Sequence, residues 1–356
     1  MSKQVIAVIF GGQSSEHIVS CMSAINIIKC INKEKYDIIL IGITKEGKWL
    51  RVGSIEDIVD ESWREGKTGA YLLPDAKEKS LLITEGSEYT KIKLSLVFPV
   101  LHGLYGEDGT IQGLCELAKI PYVGCDVLSS ALSMDKSYTK LIADRIGIRQ
   151  AAYKLLHRHK IKKDIIAAIQ EVEYRFEYPV FVKPANAGSS RGVNMANNAA
   201  ELKYALEEAV LHDKKILVEE AIVGRELECA VLGTKNKPLV SGVGEILSAG
   251  SFYDFDSKYY NAASKTVVDP DLDEYTVEKI REYSKLIFKA MDCHGIARVD
   301  FFLSNTGEVI FNEINTMPGF SNISMYPMLW EAEGIDKYRL IQSLIDLAYE
   351  SCLLYT

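Results

Sequence analysis

The chain reads as an α/β protein with an α+β second half: an open, mostly parallel N-terminal sheet followed by two further domains. Three observations predict this. Residues 5–10 are an apolar run closed by Gly11-Gly12, then comes a helical pattern to about Cys30 and a second apolar run at 37–43, which together make a strand–turn–helix–strand unit. Strand and helix patterns go on alternating through the middle of the chain. Beyond residue 215 the apolar runs come in pairs joined by short polar turns, the pattern of antiparallel strands.

Taken in order, residues 54–92 are polar, charged and irregular with weak strand signals, and read as a variable excursion. Residues 96–101 are a buried strand leading into the turn-rich His102-Gly103-Leu104-Tyr105-Gly106-Glu107-Asp108-Gly109 and a helix at 110–118. The first domain is placed at 1–124. The second, 125–212, holds helical stretches at 129–146 and 162–172, a strand at 180–183 ending before Pro184, and a small polar loop at 185–192 with the composition of a mobile segment. The third, 213–356, has strands at 216–219, 226–232 and 239–245, a long loop at 246–265, a helix at 271–291 and a final hairpin.

At 356 residues, 47% hydrophobic and 25% charged, the composition is that of a globular protein with a substantial core. A net charge of −8 without a basic cluster argues against a nucleic-acid partner. The seven cysteines are scattered without a C-x-x-C pair, which fits reduced thiols. No leader or membrane-spanning run is visible, so a soluble, cytoplasmic protein with no membrane partner is expected.

The hairpin carries the first sign of chemistry. In Arg298-Val299-Asp300 and Glu313-Ile314-Asn315, alternate residues share a face of their strand, and Ser304-Asn305-Thr306-Gly307 between them reads as the tight turn that makes the two strands neighbours. Asp300, Glu313 and Asn315 then offer two carboxylates and an amide oxygen, a donor set for magnesium rather than zinc, with manganese as a substitute. Taken alone, the same acids also read as a solvated hairpin. Lys183 ends an apolar strand just before the small residues Ala187-Gly188-Ser189-Ser190-Arg191-Gly192, whose backbone N–H groups can close over a phosphate. Neither a Walker loop nor a G-x-G-x-x-G fingerprint is present. Met134-Asp135-Lys136 on a helix and Val218-Glu219-Glu220-Ala221-Ile222 at a strand end suit a nucleotide, the latter as an adenine wall, with Glu226 placed for ribose hydroxyls.

Together these motifs resemble the ATP-grasp ligases: Lys183-Pro184-x-x-x-Gly188-Ser189-Ser190, Glu219-Glu220-x-x-x-Gly224-Arg225-Glu226, Arg298-Val299-Asp300 and Asn312-Glu313-Ile314-Asn315-Thr316-Met317-Pro318-Gly319. Gly11-Gly12-x-Ser14-x-Glu16-x-x-Val19-Ser20 and His102-Gly103-x-x-Gly106-Glu107-Asp108-Gly109-Thr110-x-Gln112-Gly113 narrow the resemblance to the D-alanine:D-alanine ligase family. That resemblance implies a three-domain fold with ATP between the second and third domains, and synthesis of the dipeptide for peptidoglycan through an acyl phosphate. It implies two magnesium ions on Asp300, Glu313 and Asn315, and ATP held by Lys136, Lys183, Ser190, Glu219, Glu220, Ile222 and Glu226. It further implies that Arg298 and the Gly319 N–H stabilise the oxyanion, that Glu16, Ser189 and Tyr259 act around the first D-alanine ammonium, and that His102 lies near that substrate. The loop at 246–265 resembles the family's lid, and a homodimer is implied.

Lys258-Tyr259 matches the dipeptide-forming pattern. Serine-forming relatives place an Arg where Met325 stands, beside Ser324, so D-alanine is the expected second substrate, and a D-serine or D-lactate ligase of the vancomycin-resistance type is the alternative. A nucleotide-binding module without catalysis is the non-enzymatic alternative. Ile18 stands where the family usually has Glu.

Overall fold

The computed structural model describes residues 3–188, 191–247 and 265–353. Its strands form three sheets. The first joins β1 (Gln4–Gly11), β2 (Tyr36–Ile43), β3 (Trp49–Val52), β4 (Gly69–Leu72), β5 (Ser80–Glu85), β6 (Glu88–Lys93) and β7 (Leu96–Val100) in the order β6-β5-β4-β3-β2-β1-β7. Only β2-β1-β7 is parallel, as the strand–helix–strand unit requires, whereas β2 through β6 pair antiparallel. The expected mostly parallel sheet is therefore mixed. Residues 54–92, read as an irregular excursion, supply three of its strands and the short helix Ile55–Val59. They lie toward the sheet's edge, where one face is wet, so the apolar signal is diluted by residues such as the exposed Tyr89.

Gly11 closes β1 with φ +87°, and a Cβ there would fall 2.3 Å from the Ile43 carbonyl oxygen, so the turn requires glycine. Behind it the Gly11 N–H donates to Ser20 Oγ, which fastens the helix His17–Cys30 to the end of β1.

The middle sheet contains β8 (Tyr153–His157), β9 (Val180–Pro184), β10 (Asn194–Ala196) and β11 (Lys215–Glu220) in the order β10-β9-β11-β8, every pair antiparallel. Because β11 pairs with both β9 and β8, this sheet continues past the boundary expected near His212. The helices Ile165–Glu173 and Ala199–His212 cover it through Ile169, Val172, Leu202 and Leu206.

The third sheet, β14-β13-β12-β15-β16, comprises β12 (Gly224–Thr234), β13 (Lys237–Leu247), β14 (Lys265–Val268), β15 (Gly295–Ser304) and β16 (Val309–Asn315). Alternation splits β12 and β15 cleanly. Leu227, Cys229, Val231, Val299 and Phe301 pack beneath the helix Glu274–Ala290, while Ala230, Leu232 and Ile296 join a core shared with the helices Met325–Ala332 and Lys337–Leu353. That shared core also takes in Phe10, Ile27 and Phe98 of the first domain. It holds the first and third sheets together around the cleft between them.

Candidate active site

The pairing of β12, β15 and β16 lines up two rows of chemistry. Glu228 pairs with Asp300, which pairs with Glu313, and beside them Arg298 pairs with Asn315. A shift of register between Asp300 and Phe301 leaves Asn312 as an extra residue in β16. This bulge lets Phe311 turn into the core against Phe301, at 6.0 Å between ring centroids, while Glu313, two residues on, faces the cleft. The expected hairpin is present, and the bulge is what separates its core half from its site half.

A cavity of about 650 Å³ opens above these rows. Glu16, His102, Lys136, Glu226, Arg298, Asp300, Glu313, Asn315, Gly319, Ser324 and Met325 of the expected site all line it, which brings together residues from all three parts of the chain. Ile18 is 41% exposed and is not among its lining residues.

The cationic groups Arg298 and Lys136 each rest on acids inside the cavity. Arg298 donates through Nε and Nη2 to both Asp300 carboxylate oxygens, at 2.8 and 2.7 Å, and its Nε lies 3.2 Å from Glu228. Lys136 Nζ sits 3.0 Å from Glu313 and donates to the Ala187 carbonyl at 3.1 Å. Lys136 opens the helix Lys136–Arg145, where the helix dipole disfavours a cation, and burial opposes its charge further. Glu313, with the charges of Glu219 and Glu16 behind it, outweighs that burial and raises the lysine pKa. Asn315 Oδ1 accepts the Met317 N–H.

Next to the cavity, Glu219 is enclosed between Lys140, at 3.1 Å, and Lys183, at 2.8 Å. Burial would raise its pKa, but the two ammonium groups overcome that and bring it down to about 2. Lys183, Glu219, Glu220 and Ile222 do not line the cavity, and Glu220 is tied to Arg149 and to the Ala152 N–H instead. The loop after β9 is anchored at Asn186, whose backbone and side-chain N–H groups both donate to Asp213.

His102 is wholly committed to structure. Phe320 N–H donates to Ser23 Oγ, Ser23 sits 3.0 Å from His102 Nε2, and His102 Nδ1 lies 2.8 Å from the Met317 carbonyl. A single proton arrangement satisfies that chain, with Nδ1 as donor, and burial lowers the imidazole pKa so the ring stays neutral. The Glu16 carboxylate projects between Gly103 and Gly188, where a Cβ on either would come within 2.5 Å of Oε2. Glycine at both positions is what lets the first and middle domains close on this acid. Glu107, in the same wall, accepts the Gly103 N–H; burial, and then the Glu16 charge, push its pKa up to about 8. At the far end Ser321 and Ser324 bond to each other, and Met325 packs on Gly244, where a Cβ would fall 2.3 Å from its sulfur.

Ser189, Ser190, Lys258 and Tyr259 lie outside the described residues, as does most of the expected lid. Sequence reasoning missed Glu228, Lys140 and Glu107. The first two had a signal: Glu228 shares a strand face with Glu226, and Lys140 lies one helical turn from Lys136. Nothing in its sequence context marked Glu107 as buried. Among the described residues no cluster of three His, Cys, Asp or Glu side chains is arranged for a metal.

The chain is similar to known proteins over nearly its whole length. The family model described as D-ala D-ala ligase N-terminus matches residues 5–125, and that described as D-ala D-ala ligase C-terminus matches residues 142–346. The D-alanine--D-alanine ligase of Acetivibrio thermocellus is 52% identical, covering 98% of this chain and 96% of that one. That of Clostridium acetobutylicum is 46% identical, covering 97% and 98%. Among solved structures, the VanG D-Ala:D-Ser ligase from Enterococcus faecalis superposes with a TM-score of 0.88 at 40% identity, covering 98% of this chain and all of that one. The D-alanine-D-alanine ligase from Coxiella burnetii gives 0.86 at 34% identity, covering 100% and 96%. With family models spanning both halves and near-full-length relatives at this identity, the chain belongs to the D-alanine:D-alanine ligase family.

Proposed function

We propose that this protein joins two D-alanines into D-alanyl-D-alanine for peptidoglycan synthesis, converting ATP to ADP and phosphate by way of an acyl phosphate. The observation that carries this reading is the pairing of Arg298 with Asp300 and of Lys136 with Glu313 in one cavity. A carboxylate can attack an anionic triphosphate only where the repulsion between them is neutralised. Here both cationic groups rest on acids that a divalent cation would engage, so engaging the acids frees the cations for substrate.

An oxygen-only set of two carboxylates and an amide fits such a cation: Asp300, Glu313 and Asn315 would hold two magnesium ions, or manganese in their place, whose chemistry is to neutralise phosphate charge. The protein's own groups do the rest. Lys136 and Lys183 take the α and β phosphates, and Ser190 is assigned to ATP with them. The Glu219–Glu220 strand end and Ile222 face the adenine, while Glu226 holds the ribose. Glu16 binds the ammonium of the first D-alanine, linked through Ser189 to Tyr259, and the neutral His102 shapes that subsite. The first substrate's carboxylate then attacks the γ-phosphate and expels ADP, and the second amine attacks the carbonyl carbon of the resulting acyl phosphate, which loses phosphate as the amide forms. Arg298 and the Gly319 N–H stabilise the oxyanion formed in that second step. Lys258 is assigned to substrate binding, and closure of the 246–265 loop as a lid would exclude the water that hydrolyses the intermediate.

The second amino acid lies against Ser324 and Met325. An apolar, buried Met325 suits a methyl group, whereas a serine hydroxyl beside it would need a partner that the thioether does not supply, which favours D-alanine over the D-serine alternative. No described helix is long and apolar enough to cross a membrane, and a cytoplasmic homodimer acting on small molecules is the setting we infer. Light scattering tests the dimer. The functional test is ADP release with ATP, magnesium and D-alanine, with D-serine and D-lactate in parallel and the product identified by mass. D-alanyl-D-alanine is expected; a product containing D-serine or D-lactate in preference overturns the second-substrate assignment, and an Asp300→Ala protein working at the parent rate overturns the metal assignment.

A further inference from the structure

Glu228 faces the cavity beside the residues assigned above, yet nothing in the reaction as described uses it. It is the first of three acids aligned across β12, β15 and β16, Glu228, Asp300 and Glu313, and Arg298 lies between the first two. Arg298 has two carboxylate partners of unequal kind. Asp300 holds it bidentately from two residues away on its own strand, and Glu228 reaches Nε at 3.2 Å from the neighbouring strand. Both acids are buried, at 8% and 9% exposure, so neither exchanges this contact readily for water.

Asp300 cannot serve two partners fully. Lone pairs given to a divalent cation are withdrawn from the guanidinium, which would otherwise follow its departing partner or swing toward the remaining acids. Glu228 is set apart from a cation on Asp300, because the Arg298 guanidinium stands between the two carboxylates. We propose that Glu228 is a positioning residue that keeps Arg298 aimed into the cavity once Asp300 is engaged by the cation. The proposal rests on the nucleotide and metal reading above. It gives the two acids successive duties: Asp300 orders Arg298 in the free enzyme, and Glu228 orders it in the loaded one. A strand neighbour is suited to this because its backbone is fixed by pairing on both sides, β12 lying between β13 and β15.

Glu228→Gln keeps shape and removes charge. Its kcat is expected to fall about 10- to 100-fold, the scale of losing a partner that orients a functional group, with KM for ATP and D-alanine within about threefold of the parent. Because Glu228 acts through Arg298, Arg298→Ala and the double variant Arg298→Ala/Glu228→Gln are expected to be equally slow, whereas a merely structural role makes the losses multiply. A measurement without turnover reads the same point: exchange with water of the Arg298 Nε proton, followed by NMR with and without magnesium and ADP. In the parent it is protected in both states, and in Glu228→Gln only without the ligands. An unchanged kcat in the single variant, additive losses in the double, or a Glu228→Gln protein whose Arg298 Nε proton is equally protected with and without the ligands overturns the proposal. Should Glu228→Gln not fold, Glu228→Ala takes its place in the same measurements. If the parent itself releases no ADP with D-alanine, the functional reading fails instead, and the NMR comparison still reports on Glu228.

Discussion

Lys136 Nζ lies 3.0 Å from the Glu313 carboxylate, joining the first residue of a helix to the last strand of the third sheet across the cavity. A lysine at a helix N-terminus opposes the dipole, so its place there is a local cost that a site makes useful. Replacing Lys136 by Met is expected to lower kcat/KM for ATP by about 100-fold, an Arg or Lys phosphate contact being worth roughly 2–3 kcal/mol. Stability should fall as well, since the raised pKa means the folded state favours the charged lysine and Glu313 is left less well neutralised. Steady-state kinetics and a thermal melt check both halves of the statement.

Glu219 predicts acid sensitivity. Its carboxyl titrates at about 2 in the folded chain against an ordinary 4.5, so the stability it confers is present above pH 4.5 and is lost as pH falls toward 2. Glu219→Gln leaves Lys140 and Lys183 facing each other in the interior. The variant is expected to lose about 3–5 kcal/mol, the scale of breaking a buried pair, and to show a flatter loss of stability between pH 4.5 and 2. Urea melts across that range measure it, and an unchanged melt at neutral pH would count against the pairing.

Glu107 predicts the reverse slope. Its pKa of about 8 means the folded state keeps a proton that the unfolded state gives up near 4.5, so this group's contribution falls as pH rises from 4.5 to 8 and then levels. Glu107→Gln holds the neutral shape at every pH. The variant is expected to lose less stability than the parent between pH 5.5 and 8.5, by about 1 kcal/mol or more. Equal losses in the two proteins would show that Glu107 is ionised throughout.

Gly244 and Met325 predict a specificity effect. A Cβ at 244 would overlap the Met325 sulfur, and a flexible thioether yields by moving rather than by unfolding the sheet. Gly244→Ala is expected to raise KM for the second D-alanine about tenfold and to spare the first, a methyl-sized misfit being worth roughly 1–3 kcal/mol. Met325→Arg is expected to weaken D-alanine use more strongly. Unchanged D-alanine kinetics in both variants would remove Met325 from the second subsite.

The parts of this protein legible in its sequence are those written by local periodicity. Alternation within 298–300 and 313–315 placed Arg298, Asp300, Glu313 and Asn315 on strand faces, and the turn at 304–307 made those strands neighbours; their registered pairing bears that out. The buried strands 5–10 and 96–101 were equally plain, because both faces are covered and the apolar run is unbroken. The sheet extension at 49–93 was hidden for the opposite reason: its wet face breaks the apolar run.

The sequence by itself determined which residue types the site contains and which strands carry them, since side-chain direction along a strand alternates whatever the rest of the chain does. Tertiary structure alone decided the partners. The Asn312 bulge sent Phe311 into the core and Glu313 into the cleft, strand pairing put Glu228 beside Arg298, and the close approach of two glycines set Glu16 between the first and middle domains. Each of these depends on contacts between residues far apart in the chain, whose geometry is fixed only when the sheets pack together, and no pattern within a single segment encodes them.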